Sequence, residues 1–162
     1  MVIQVDSREK AHAITKILET FDREGVKWFV SKLPVGDYMS LDNPRLVIDR
    51  KQNLNEICNN VVQDHKRFAA ELERAKKYGI HVIVLVEHGK NIRELTDVIN
   101  WQNPRLKQSP MAVSGERLFK ILSAMQNNKE RYDVEFLFCD KSETGKRIIE
   151  ILSGGNHAES EA

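Results

Sequence analysis

Cysteine is nearly missing from this sequence. Of 162 residues only Cys58 and Cys139 carry thiols. They stand far apart, without CxxC or Cys/His spacing, so neither a disulfide framework nor a zinc site is suggested, and both read as ordinary core or near-surface thiols. An excess of one charge is missing too. The 25 basic side chains almost cancel the 24 acidic ones, leaving a net charge of +1. That balance excludes a global field as the basis for binding a polyanion, so any such site must be local. No apolar run approaches the roughly 20 residues that span a bilayer. The N-terminus, MVIQVDSREK, lacks the apolar segment of a signal peptide. An intracellular, cytoplasmic protein is therefore expected. Internal repeats and low-complexity tracts are absent as well.

What is present suits one folded unit. Hydrophobic residues make up 41% of the chain, enough to fill a single core. We expect one domain over residues 1–153 and a disordered tail over 154–162, GGNHAESEA, which holds almost no apolar side chains.

Along the chain, VIQVD at 2–6 reads as a short strand leaving a buried layer. From Glu9 to Glu24, the residues Ala13, Ile14, Ile17, Leu18 and Phe21 recur at helical spacing, and Gly25 stops the helix. VKWFVSKL at 26–33 alternates as a strand. Pro34 and Gly36 break it, 37–41 continues extended, and Asp42-Asn43-Pro44 turns the chain into a strand at 45–50. These three strands are expected to form a meander. Residues 54–78 are helical, with Val61, His65, Phe68, Leu72 and Ala75 along one face, and Gly79 ends them. IHVIVLVE at 80–87 is apolar and β-branched, as a strand covered on both faces should be. Helical patterns at about 91–101 and 114–128, a strand at 134–138 and a helix at 144–152 complete the order. The result is α/β: a mixed central sheet of about six strands flanked by helices.

Chemistry concentrates in VGDYMSLDNPRLVIDRK, residues 35–51. Asp6, Asp37 and Asp49 sit at strand ends or beside a break, where adjacent strands can bring carboxylates a dozen residues apart within reach of one ion. Hard oxygen ligands of this kind suit Mg²⁺ or Mn²⁺. Lys51 follows Asp49 by two residues, so the strand's period of two points both to the same face. A metal held by carboxylates, with an amine alongside, is a rational apparatus for phosphodiester hydrolysis, which must bring a hydroxide against an anionic phosphate. The blander reading is a solvated strand end after an ordinary turn, and spacing alone leaves both open.

Further residues join the pattern. "GDY...VIDRK" resembles the GD...ERK signature of the XPF-type structure-specific endonucleases, a branch of the PD-(D/E)XK nuclease superfamily. "VDSRE" at 5–9 is similar to that family's first-strand Asp-x-Arg-Glu, "HKRFAAELERAKKYG" at 65–79 to its next helix, and "VIVLVE" at 82–87 to its next core strand. Four blocks in order cover about residues 2–88. The resemblance implies a restriction-endonuclease-like three-layer fold and a metal-dependent cut in branched, flapped or single-strand-containing DNA, serving DNA repair or recombination. It implies Asp6, Asp37 and Asp49 around Mg²⁺ or Mn²⁺, with Asp37, Asp49 and Lys51 catalytic, Arg8 and Arg50 nearby as DNA contacts, and a homodimer or a paired DNA-binding subunit. Departures are visible. Asp49 replaces a Glu, Asn55 stands where an Asp four residues after the Lys is usual, with Glu56 beside it, and Glu71 replaces a Gln. A tandem helix-hairpin-helix module has no room in this chain, which suggests a bacterial, archaeal or phage-type member.

Other residues carry two readings each. Lys66 and Arg67 can contact DNA phosphates, while Arg67 and Glu71 can equally form a plain i,i+4 ion pair. His65 reads as a core or interface histidine. Trp101, Asn103, Pro104, Arg105 and Lys107 form an aromatic-basic loop able to stack on splayed nucleic acid, with Arg105 a DNA contact, or Trp101 simply packs under the loop. Ser114 reads as an N-cap. The rival to an endonuclease is a catalytically inactive nuclease-fold module that binds nucleic acid or dimerises.

Overall fold

In the computed structural model, residues 1–89 and 91–154 are described. Apart from Gly154, the expected disordered tail lies outside these residues. The strands are β1 (Val2–Val5), β2 (Lys27–Val30), β3 (Tyr38–Ser40), β4 (Asn43–Lys51), β5 (His81–His88) and β6 (Val134–Asp140). The helices are α1 (Thr15–Arg23), α2 (Leu54–Cys58), α3 (His65–Lys77), α4 (Gly115–Asn127) and α5 (Thr144–Leu152). One six-stranded sheet runs in the order β2-β1-β3-β4-β5-β6.

Side-chain parity builds the three layers. In β4 and β5, Val47, Val82, Val84 and Val86 face α2, α3 and α4, whereas Ile48, Ile83 and Leu85 face α1 and α5. Each apolar run thus feeds two cores, which is why β5 shows continuous burial between its end residues. The expected mixed sheet flanked by helices is what forms.

The expected meander does not. β2 pairs with β1 in parallel, and β1 pairs with β3 antiparallel, so β2 is an edge strand that never touches β3. A parallel neighbour needs a crossover, and α1 supplies it. After β2 the chain crosses the end of β1 before entering β3. Ser31 N–H donates to Val5 O at 3.0 Å, and the Gln4 side-chain amide reaches Lys32 O at 3.2 Å. Trp28 packs against the α1/α5 core, and Phe29 is exposed.

The helix expected over 54–78 is interrupted. A π-helical turn at Asn59–Gln63 separates α2 from α3. His65 is exposed at the start of α3 and not in a core, while Val61, Phe68, Leu72 and Ala75 of the expected face are buried. The pattern at 91–101 becomes a 3₁₀ helix at Leu95–Asn100 closed by a reciprocal Glu94/Asp97 cap. Trp101 is buried beneath the following loop, which decides between its two readings in favour of packing. Ser114 caps α4 as expected, accepting from Arg117 N–H at 3.1 Å. Both cysteines are buried. Among the described residues no helix is long and apolar enough to cross a membrane.

Candidate active site

Gly36 shapes the approach to the site. Its φ of +75° lies in the left-handed region, and a Cβ there would stand 3.1 Å from both Ile48 O and the Val47 side chain. The chain can therefore press against β4, and Asp37 N–H donates to Ile48 O at 2.7 Å. On its other side Asp37 O accepts from Asp6 N–H at 2.8 Å. Asp37 is wedged between the ends of β1 and β4.

Parity then sorts the residues. Asp37 precedes Tyr38, a member of the α1/α5 core, so its side chain leaves on the α2–α4 side, as do Asp49 and Lys51, which alternate with Ile48. Lys51 Nζ lies 3.4 Å from Asp49 Oδ2, and their side chains keep only 12% and 18% exposure. The same ammonium sits 5.7 Å from the Phe68 ring centroid. Burial disfavours its charge, but Asp49, Glu56 and Asp37 outweigh burial and raise its pKa.

Two carboxylates in one partly closed site oppose each other. Asp37 is pushed up to about 8, first by burial, then by the charges of Asp49 and Glu9, against the Arg50 N–H that donates to its Oδ2 at 2.7 Å. Asp37 and Asp49 are close enough for a mutual hydrogen bond. Crowded hard oxygens of this kind fit a Mg²⁺ or Mn²⁺ ion, which needs only one or two protein carboxylates besides water and substrate phosphates. Among the described residues no three His, Cys, Asp or Glu side chains are grouped to hold an ion by themselves.

Among the described residues Asp6 is not grouped with Asp37 and Asp49. It is buried, with Oδ2 accepting from Arg8 Nε at 2.7 Å and Oδ1 from Leu33 N–H at 2.8 Å. Both oxygens are occupied in fastening the segment that crosses β1, and Arg8 completes that tie by donating to Leu33 O at 2.9 Å. Arg8 remains 60% exposed. Arg50, expected at DNA, instead points to the opposite face of the sheet. Its guanidinium is 4% exposed, bonded to Glu87 and, at 2.8 Å, to Glu9 Oε2. Parity explains the difference: a residue between Asp49 and Lys51 cannot share their side. Lys66 and Arg67 lie exposed on the first turn of α3, with Arg67 3.7 Å from Glu71. Arg105 is exposed near Cys58 and Asn103, in the 3₁₀ turn at Pro104–Lys107 that precedes α4.

Sequence reasoning assigned no role to four residues. Glu9, inside the quoted VDSRE, accepts from Tyr38 Oη–H at 2.7 Å as well as from Arg50. Glu87 is the penultimate residue of β5, after an apolar run, and its parity with Leu85 was the available signal. Asn60, on the π-helical turn, lines a small polar pocket of about 150 Å³ with Lys51, Asp64, Arg67, Phe68 and Glu71, and its buried Oδ1 has no hydrogen-bond partner among the described residues. Glu56, noted beside Asn55, sits in the first turn that Asn53 caps: Asn53 Oδ1 accepts from Glu56 N–H at 2.9 Å, and Glu56 Oε2 accepts from Gln52 N–H at 2.7 Å. That cap joins the end of β4 to α2 directly after Lys51.

The sequence matches the ERCC4 domain over residues 5–151. The chain belongs to the ERCC4-domain family. This is a family of DNA nucleases that are generally divalent-metal dependent. Among solved structures, this ERCC4 domain is similar to XPF from Aeropyrum pernix, at 17% identity and a TM-score of 0.62, over 96% of this chain and 62% of that one. It is also similar to XPF from Aeropyrum pernix in complex with DNA, at 20% identity and a TM-score of 0.64, over 97% of this chain and 66% of that one. The ERCC4 domain thus spans less than two thirds of either structure, and at these identities the likeness establishes the fold. No curated protein sequence matches it.

Proposed function

We propose that this ERCC4 domain is a metal-dependent DNA endonuclease that hydrolyses phosphodiester bonds, with branched, flapped or partly single-stranded DNA as its substrate. The observation that carries the reading is the convergence of Asp37, Asp49 and Lys51 on one side of the β4 terminus. Asp37 and Asp49 would hold a Mg²⁺ or Mn²⁺ ion. When bound, such an ion lowers the pKa of a coordinated water and neutralises charge on the phosphate.

The chain's own side chains supply the rest. Lys51, kept protonated by its acidic neighbours, donates to a phosphate oxygen or orients the attacking water, and its partial burial makes that charge more effective than it would be in water. Phe68 closes one side of the ammonium and limits solvent there. Lys66 and Arg67, exposed beside the Lys51 pocket, suit phosphates flanking the cut, and Arg8 and Arg105 can extend that track. Asp6 braces the site rather than ligating the ion. A domain with balanced charge has few phosphate contacts to offer, so we also propose that it works as a homodimer or beside another DNA-binding subunit.

The test is incubation of purified protein with labelled forked, flapped and linear DNA and Mn²⁺, alongside Asp49→Ala and Lys51→Ala. Cleavage by the parent and none by either folded variant supports the enzyme. Binding without cleavage by the parent would establish the inactive module instead.

A further inference from the structure

Behind the two carboxylates, on the opposite face of the sheet, lies a buried charge cluster with no evident part in contacting DNA. Tyr38 directly follows Asp37 on β3, and Arg50 directly follows Asp49 on β4. Glu9 binds both: it accepts from Tyr38 Oη–H at 2.7 Å and from Arg50 Nε at 2.8 Å. Arg50 in turn reaches across to Glu87 on β5. Tyr38, Arg50 and Glu87 are all buried.

From this arrangement we infer that Glu9, Tyr38, Arg50 and Glu87 form a positioning lock that fixes β3 and β5 against β4 and so holds the carboxylates of Asp37 and Asp49 together on the other side. The inference rests on the proposed nuclease site for its catalytic consequence, but not for its structural one.

The need for a lock follows from topology. Asp37 and Asp49 stand on separate segments, so their spacing is only as fixed as β3 is against β4. Tying the next residue on each segment, Tyr38 and Arg50, to one shared acid fixes that spacing one residue away. The link to the site is direct, because the backbone N–H of Arg50 is the donor to Asp37 Oδ2 at 2.7 Å. A guanidinium anchored at both ends fixes its own peptide, and that peptide fixes Asp37. Arg50 acts through its backbone and its strand, so it is a positioning residue.

The composition of the cluster also makes it testable. It contains two acids and one base. Replacing either acid by its amide leaves Arg50 with one full partner and no uncompensated acid, so Glu87→Gln and Tyr38→Phe should fold. Removing both acids would strand a buried guanidinium.

The experiment reads amide hydrogen exchange by NMR in the metal-free protein, for the parent, Glu87→Gln and Tyr38→Phe. Exchange at Arg50 and Asp37 should accelerate about 10-fold or more in each variant, while β6 amides such as Phe138 keep the parent's rates. Unchanged exchange at Arg50 and Asp37, or equal acceleration across the whole sheet, overturns the lock. This readout needs no cleavage, so its failure is distinct from failure of the nuclease reading. With Mn²⁺ and DNA, the same variants should lose about 10-fold in kcat with KM for DNA unchanged. A rise in KM at constant kcat would instead assign the cluster to DNA binding and overturn positioning.

Discussion

Lys51 and Asp49 leave β4 on the same side with Nζ 3.4 Å from Oδ2, a pair that neither solvent nor a distant partner needs to organise. Two consecutive same-face positions of one strand place them, and the Asn53/Glu56 cap fixes the chain just beyond. The pair is therefore present in the folded chain before any DNA arrives.

If the Lys51 ammonium stabilises charge at the phosphate, its removal should act on the rate. Lys51→Ala is expected to lower cleavage of forked DNA with Mn²⁺ by about 10²–10³-fold, the usual loss for one preorganised charge donor. Its circular dichroism melt should stay close to the parent's. A variant that retains most of the parent's rate would remove Lys51 from the chemistry.

Asp37 gives a pH dependence with a definite sign. Its pKa rises from an ordinary 3.8 to about 8 in the folded protein, so the native state keeps a proton that the unfolded chain has released. The contribution is complete below about pH 4 and is lost as pH rises towards 8. In metal-free protein, Asp37→Asn should thus gain stability relative to the parent between pH 5 and pH 8, read as the difference in Tm. Added Mg²⁺ should raise the parent's Tm at pH 8 and leave the variant's nearly unchanged.

His81 predicts a second, separate titration. Glu135 at 3.4 Å raises its pKa most, burial opposes, and Asp133 at 2.7 Å adds to the rise. Stability from this cation is fully present below the unfolded value of about 6.5 and disappears as pH climbs through the folded one. Urea melts of His81→Gln should show that step missing while DNA cleavage persists, since His81 begins β5 at the end opposite Glu87.

Gly36 tests how closely the turn must hug β4. Gly36→Ala places a methyl group 3.1 Å from Ile48 O at a φ of +75°, and should destabilise the fold by about 1–3 kcal/mol in urea unfolding. Cleavage should fall further than Lys66→Ala lowers it, because the displaced residue is Asp37 itself. Equal stability of the variant and the parent would show that the turn relaxes without cost.

Much of this was readable from the letters, for identifiable reasons. The strand at 45–50 and the apolar run at 80–87 were legible because alternation and continuous burial are local properties, and the Asp49/Lys51 pairing followed from the same alternation. The alternation rule also sends Arg50 to the other face, away from the Asp49 and Lys51 that flank it in the motif, so the DNA contact expected of it is not where the structure puts it. Partner choice is not local. Nothing in VKWFVSKL specifies that it pairs with β1 rather than β3, so a meander was expected where a crossover stands. Asp6 looked like a ligand because it ends a strand, but the Leu33 N–H it satisfies is 27 residues away and belongs to that unforeseen crossing. The π-helical turn at Asn59–Gln63 lies within an unbroken helical pattern, and periodicity alone cannot register it because Val61 and Phe68 still bury on the expected face.

The alternation along β4 makes this strand intolerant of frame changes. Deleting one residue between Leu46 and Ile48 would trade the faces of everything downstream, driving an aspartate and a lysine into the packed layer under α1 and turning a guanidinium out towards the side of Asp37. Point replacements there can be graded from mild to severe, whereas a slip of a single position would dismantle the bracing and the reactive surface in one stroke.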